Sequence, residues 1–179
     1  MGDFKKAYQV GRVNEGGYVN RADDAGGETY CGVSRVFHPD WAGWPIVDAY
    51  KANHELKRGD VIADDQLEQL LEEFYRAEFW EKCAGDDITL DSVSTYIYDW
   101  SLTSGGAKKA IQEALQLKAD GVFGPKTIAA INAKGVLMLS KVRDIRIQYY
   151  YELVKTNPKQ VVNLKGWLNR ATKLYEELK

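Results

Sequence analysis

Apolar positions along the chain recur mainly with helical spacing. In 64–82, Leu67, Leu70, Leu71, Phe74, Tyr75 and Phe79 follow the i, i+3, i+4 rhythm of one helix face, with Asp64 and Asp65 ahead of them as N-terminal charges or caps. In 136–155, Met138, Val142, Ile145, Tyr149 and Leu153 form a second stripe. In 159–178, Val161, Leu164, Leu168, Ala171, Tyr175 and Leu178 form a third, and Thr156-Asn157-Pro158 is the break between them. Segments 87–103 and 106–117 read as further helices parted by Ser104-Gly105-Gly106, and Pro125 opens another over 125–133. An N-terminal helix over 3–15 carries Phe4, Ala7, Tyr8 and Gly11 on one stripe, which Glu15 continues before Gly16 stops it. No alternating stretch demands a large sheet, although 17–33 allows one short hairpin. The expectation is a mostly α, in effect all-α, fold.

Composition narrows the class. With 179 residues and 45% apolar side chains, the chain is long enough to bury a core without staples. Lys+Arg 24 against Asp+Glu 26 leaves a formal charge of −2, which argues against nucleic acid as a partner. No run of about 18 apolar residues exists, so no membrane insertion is expected. The opening MGDFKKAYQV lacks the order of a secretory signal. The chain is therefore expected to be made in the cytoplasm and to reach other compartments by release or export. Cys31 and Cys83 stand far apart, and with His38 and His54 they lack ligand spacing, so no metal or other cofactor is expected. The two thiols read as core or half-buried residues, and both histidines as surface or loop packing.

Residues 14–35 break the helical pattern, with five glycines among Glu15, Asp23, Asp24 and Glu28, interleaved with Tyr18, Val19, Tyr30 and Val33. That mixture reads as an ordered, backbone-rich binding loop. Glu15, inward-facing at a helix C-terminus, has both burial and the helix dipole acting to keep it protonated. A protonated carboxylic acid is what a glycosidase uses on a departing sugar oxygen. Asp24, nine positions on, is the candidate base or electrostatic partner, and Thr29 and Ser34 offer hydroxyls to a water or a sugar. Plain turn chemistry is the competing reading of the Asp pair. Trp41 and Trp44 fall in a Gly/Pro-bearing loop, where Trp44 is a candidate for stacking on sugar rings. Of the consecutive Tyr149, Tyr150 and Tyr151, pointing about 100° apart on a helix, one can border a cleft. Tyr149 is the one placed there. Trp100 and Trp167 are expected in the core, with Arg170 in a buried hydrogen bond.

The run Glu15-Gly16-Gly17-Tyr18-Val19-Asn20, then Asp24, Gly26-Gly27-Glu28-Thr29 and Gly32-Val33-Ser34, resembles glycoside hydrolase family 108, lysozyme-like N-acetylmuramidases. Asp99-Trp100 through Ser104-Gly105, Ala110, Gln112, Leu115, Asp120-Gly121, Gly124-Pro125 and Thr127, with the closing Gly166-Trp167-Leu168-Asn169-Arg170, resembles the peptidoglycan-binding region attached to it. The resemblance implies a lysozyme-like helical part over 1–97 and peptidoglycan-binding helices over 98–179; because neither is large and the connector at 98–106 is not linker-like, the two are expected to pack closely and share one core. It implies a muramidase acting on the β-1,4 bond between N-acetylmuramic acid and N-acetylglucosamine, Glu15 as general acid, Asp24 and Thr29 beside it, and Tyr18, Glu28, Tyr30 and Ser34 toward substrate. Peptidoglycan strands are the implied partner, met at the cell wall or periplasm by a monomer. Ala22, Ala25, Tyr30 and Thr103 depart from the family's usual residues, which bears on loop stiffness and sugar contacts. A wall-binding or secretion-accessory protein, a lytic transglycosylase and a helical adaptor are the alternatives.

Overall fold

The computed structural model describes residues 1–12, 16–20 and 27–179. Eight α-helices and a small antiparallel sheet make up the described residues, so the mostly α expectation holds. The chain divides into two compact units, one of Tyr8–Arg76 and one of Met1–Ala7 with Ala77–Lys179.

Helix α1 (Phe4–Arg12) starts with the Asp3 carboxylate accepting from the Lys6 amide at 3.3 Å, and buries Phe4, Ala7, Tyr8 and Gly11, the stripe read from the sequence. The unit of Tyr8–Arg76 continues with β1 (Tyr18–Asn20), β2 (Glu28–Tyr30) and β3 (Val33–Ser34), an antiparallel meander in the order β1-β2-β3. The single hairpin expected here thus gains a third strand. Tyr30 pairs with Val33 across a two-residue turn, Cys31 (φ 47°) and Gly32 (φ 84°), both in the left-handed region that such a turn requires. Helix α2 (Trp44–Lys51) takes the last two residues, Trp44 and Pro45, of the loop expected over 38–45, with Pro45 at its start, where a missing N–H costs nothing. Helix α3 (Asp65–Tyr75) is capped by Asp64, whose carboxylate accepts from the Leu67 amide at 2.8 Å. Leu67, Leu71 and Tyr75 face this unit's core with Tyr30, Val33, Trp44, Val47 and Ile62. A π turn over Arg76–Trp80 then widens the buried spacing to five residues between Tyr75 and Trp80.

In the other unit, α4 (Asp91–Thr103) is buried along most of its length, from Val93 through Trp100. Around it stand α5 (Ala107–Ala114), α6 (Pro125–Asn132), α7 (Leu137–Thr156) and α8 (Val161–Leu178), with α4 touching α5, α7 and α8. The buried stripe of α7 is Met138, Val142, Arg146 and Tyr150, one position beyond the predicted Ile145 and Tyr149. The rotation has a charge-driven cause. Asp99, 0% exposed on α4, receives Arg146 Nη1 at 2.9 Å and Arg170 Nη2 at 2.7 Å, so a buried carboxylate draws an arginine into what reads as an apolar face. Arg170 thus makes the buried bond expected of it. Trp100 is fully buried, and Trp167 stacks half-buried on Tyr150, with centroids 5.0 Å apart. Val161, placed by periodicity on the inner stripe of α8, is exposed. Both cysteines are buried free thiols.

Candidate active site

The sheet of the Tyr8–Arg76 unit gathers five of the predicted site residues. Cross-strand partners share a face, so the pairs Tyr18↔Tyr30 and Asn20↔Glu28 mark one side of the sheet, and Val19↔Thr29 and Thr29↔Ser34 the other. Gly17 seats β1. Its position admits no side chain, because a Cβ would lie 2.3 Å from the carbonyl oxygens of Gly59 and Asp60. That closeness lets the Tyr18 amide donate to Asp60 O at 2.8 Å and its carbonyl accept from the Gly59 amide at 2.8 Å. The second glycine of the Glu-Gly-Gly-Tyr run is therefore a packing requirement.

Glu28 is the electrostatic centre of the described site. Its Oε1 accepts from the Tyr18 hydroxyl at 2.9 Å and from Lys51 Nζ at 2.5 Å, and its Oε2 lies 2.7 Å from Arg35 Nε. Burial pushes this carboxyl up, but the bonds from Lys51 and Tyr18 and the charges of Arg35 and Lys51 more than offset it, so Glu28 is held below the ordinary glutamate value. It is an anion at neutral pH, unsuited to giving a proton there. Arg35 also clasps Asp48 with two bonds, at 3.1 and 2.6 Å, and lies over the Trp44 ring at 4.1 Å. Arg35, Asp48 and Lys51 were not read from the sequence. The signal was there in Pro45, which opens the helix that carries Asp48 and Lys51.

Four of the candidates for substrate contact, Trp44, Tyr30, Tyr18 and Ser34, are buried. Trp44, expected to be exposed, is 2% exposed at the first turn of α2, and its indole N–H donates to His38 O at 2.7 Å. Tyr30 is 1% exposed, and its hydroxyl accepts from the Ile62 amide at 2.9 Å. Burial raises its pKa to about 12. Tyr18 is buried too, with its hydroxyl committed to Glu28. Trp41 is half-buried against Trp44, with centroids 5.3 Å apart. Ser34 is buried, and its hydroxyl accepts from the Phe37 amide at 3.4 Å. Thr29, opposite Ser34, is half-buried and its hydroxyl has no partner among the described residues, which leaves it available to water or a sugar. Tyr149 belongs to the other unit, where its hydroxyl accepts from Ser104 at 3.0 Å. The histidines pack as expected, His38 edge-on to Phe74 and His54 stacked on Tyr50.

A second polar cluster ties α1 to α3. The Tyr8 hydroxyl donates to Glu68 at 2.8 Å, and Arg12 reaches Glu68 at 3.4 Å and the Cys31 sulfur at 3.2 Å. Burial raises the Cys31 thiol despite Arg12, so this cysteine is a packed, protonated group. Among the described residues no group of three or more His, Cys, Asp or Glu converges on a point that could hold a metal.

Glu15 and Asp24 lie outside the described residues. In the chain, Glu15 falls between α1 and β1, and Asp24 between β1 and β2, so the described sheet carries the flanks of both. A model of the family described as Glycosyl hydrolase 108 matches residues 11–105, more than half of the chain. The chain belongs to this family. A second model, described as Predicted Peptidoglycan domain, matches residues 106–172. Among solved structures, Brucella abortus SagA superposes with a TM-score of 0.67 at 26% identity, covering 98% of this chain and 92% of that one. No curated protein matches the chain. Membership of the family makes a glycoside hydrolase the coarse activity, and the second match makes peptidoglycan its partner.

Proposed function

We propose that the chain is an N-acetylmuramidase, hydrolysing the β-1,4 bond between N-acetylmuramic acid and N-acetylglucosamine. The observation that carries this reading is the glycosyl hydrolase match over 11–105, which includes the Glu15-to-Ser34 run. Glu15 protonates the glycosidic oxygen as the bond breaks. Asp24 either activates water on the opposite face or stabilises the positive charge that develops on the sugar. Thr29 holds the water or a sugar hydroxyl, and its free hydroxyl at the sheet surface supports that role. Glu28, Arg35, Lys51 and Asp48 form the charged brace that fixes β2 against α2. The enzyme works as a monomer at the cell wall, reached after release or export.

Mass spectrometry of fragments released from purified peptidoglycan tests the reaction type. Muropeptides ending in reducible N-acetylmuramic acid are expected. Products with 1,6-anhydro ends would replace hydrolysis with transglycosylation, and reducible N-acetylglucosamine ends would move the cleaved bond.

A further inference from the structure

A groove of about 740 Å³ lies between α5 and α7, within the usual size range of ligand sites. It lies wholly inside the segment that matches the peptidoglycan model. Ala110 and Ala114 on α5 leave it open, and Ile145 and Tyr149 on α7 supply apolar surface. The Tyr149 ring is fixed in place. Ser104 bonds its hydroxyl, Trp100 meets it edge-on at 5.7 Å, and Gly106 seats it, since a Cβ there would lie 2.4 Å from the hydroxyl.

The charges of this groove point to the ligand. Asp144 is engaged by Arg143 at 2.7 Å, and Glu152 by Gln148 at 3.1 Å and Lys155 at 3.5 Å. Glu113 on α5 and Lys141 on α7 line the same groove, and among the described residues neither makes an ion pair. An unpaired anion on one wall and an unpaired cation on the other, above an apolar surface, fit a short zwitterionic chain with small side chains.

We propose that this groove binds the stem peptide of peptidoglycan, its free amine toward Glu113, its carboxylate toward Lys141 and its small side chains on Ala110, Ala114 and Tyr149. The proposal rests on peptidoglycan being the substrate, as read above. It gives the α5–α7 groove a ligand chemistry of its own, peptide rather than sugar.

The test is equilibrium binding of the full chain to three probes: disaccharide carrying a tripeptide with a free side-chain amine, the same peptide alone, and glycan strands stripped of peptide by an amidase. Both peptide-bearing probes are expected to bind. Ala114→Trp should abolish that binding by filling the groove, and Glu113→Gln and Lys141→Gln should each weaken it at least fivefold, with melting temperatures held. Hydrolysis of peptide-stripped strands should be unchanged in all three variants. Equal binding of the peptide-stripped strands and the two peptide-bearing probes, or wild-type affinity in Ala114→Trp, would overturn the groove assignment while leaving the muramidase reading in place. Failure of every probe to bind, together with no release of fragments from peptidoglycan, would remove both.

Discussion

At the scale of single residues, the described site is dominated by one anion, Glu28, satisfied by Tyr18, Lys51 and Arg35. A carboxyl held below its unfolded value contributes stability that is fully present above that value and is lost as pH falls through the folded one. The wild-type melting temperature should therefore fall as the solution is acidified below about pH 4.3, the ordinary glutamate value. Glu28→Gln should be less stable near neutrality by about 1 kcal/mol, because the half-exposed Arg35 and Lys51 lose their anion but keep access to water, and should show a flatter acid limb. Parallel curves for the two proteins, measured by thermal melts between neutral and acidic pH, would contradict this role. Sequence reading found Glu28, Tyr18 and Tyr30 as members of the region but not their duties. A motif shows that a residue is required. It does not distinguish a ring against sugar from a ring 1% exposed whose hydroxyl takes a backbone amide. Gln112 teaches the same lesson: it bonds Asp120, Val122, Gly121 and Thr127 at 2.7–3.3 Å, so the motif residues of that stretch hold one another.

At the scale of elements, the helices α3, α4, α6, α7 and α8 are legible because their stripes, caps and breaks are local signals. Helix α2 is not, because Gly43, Trp44 and Pro45 read as a turn until Pro45 is seen as the first turn of a helix. The inner face of α7 is misread by one position because apolar periodicity assigns no core place to Arg146. Asp99, 47 residues away, supplies one. Asp99→Asn leaves Arg146 buried with a neutral partner and takes the ionic component from Arg170. The expected cost is about 3–5 kcal/mol, the range for breaking a buried pair by removing one member. Urea unfolding monitored by helix circular dichroism measures it, and a change under 1 kcal/mol would mean the triad is incidental.

At the scale of the whole molecule, the boundary between the family matches, 105 to 106, does not coincide with a boundary between compact units. Helix α4 belongs to the first match, yet it supplies Tyr96, Asp99 and Trp100 to the core that α5, α7 and α8 complete. A fragment of 106–179 would expose that apolar surface and strand Arg146. It should show no cooperative thermal transition, and a sharp one would contradict the assignment of α4 to this core. No helix among the described residues is long and apolar enough to cross a membrane. The proposed role of Glu15 as proton donor is tested most directly by turnover of purified peptidoglycan by Glu15→Gln. The amide keeps the size of the side chain and removes its proton, so the rate should fall by about 10²–10⁴ while wall binding and melting temperature stay at wild-type values. A variant that still cleaves at more than a tenth of the wild-type rate would place the acid elsewhere.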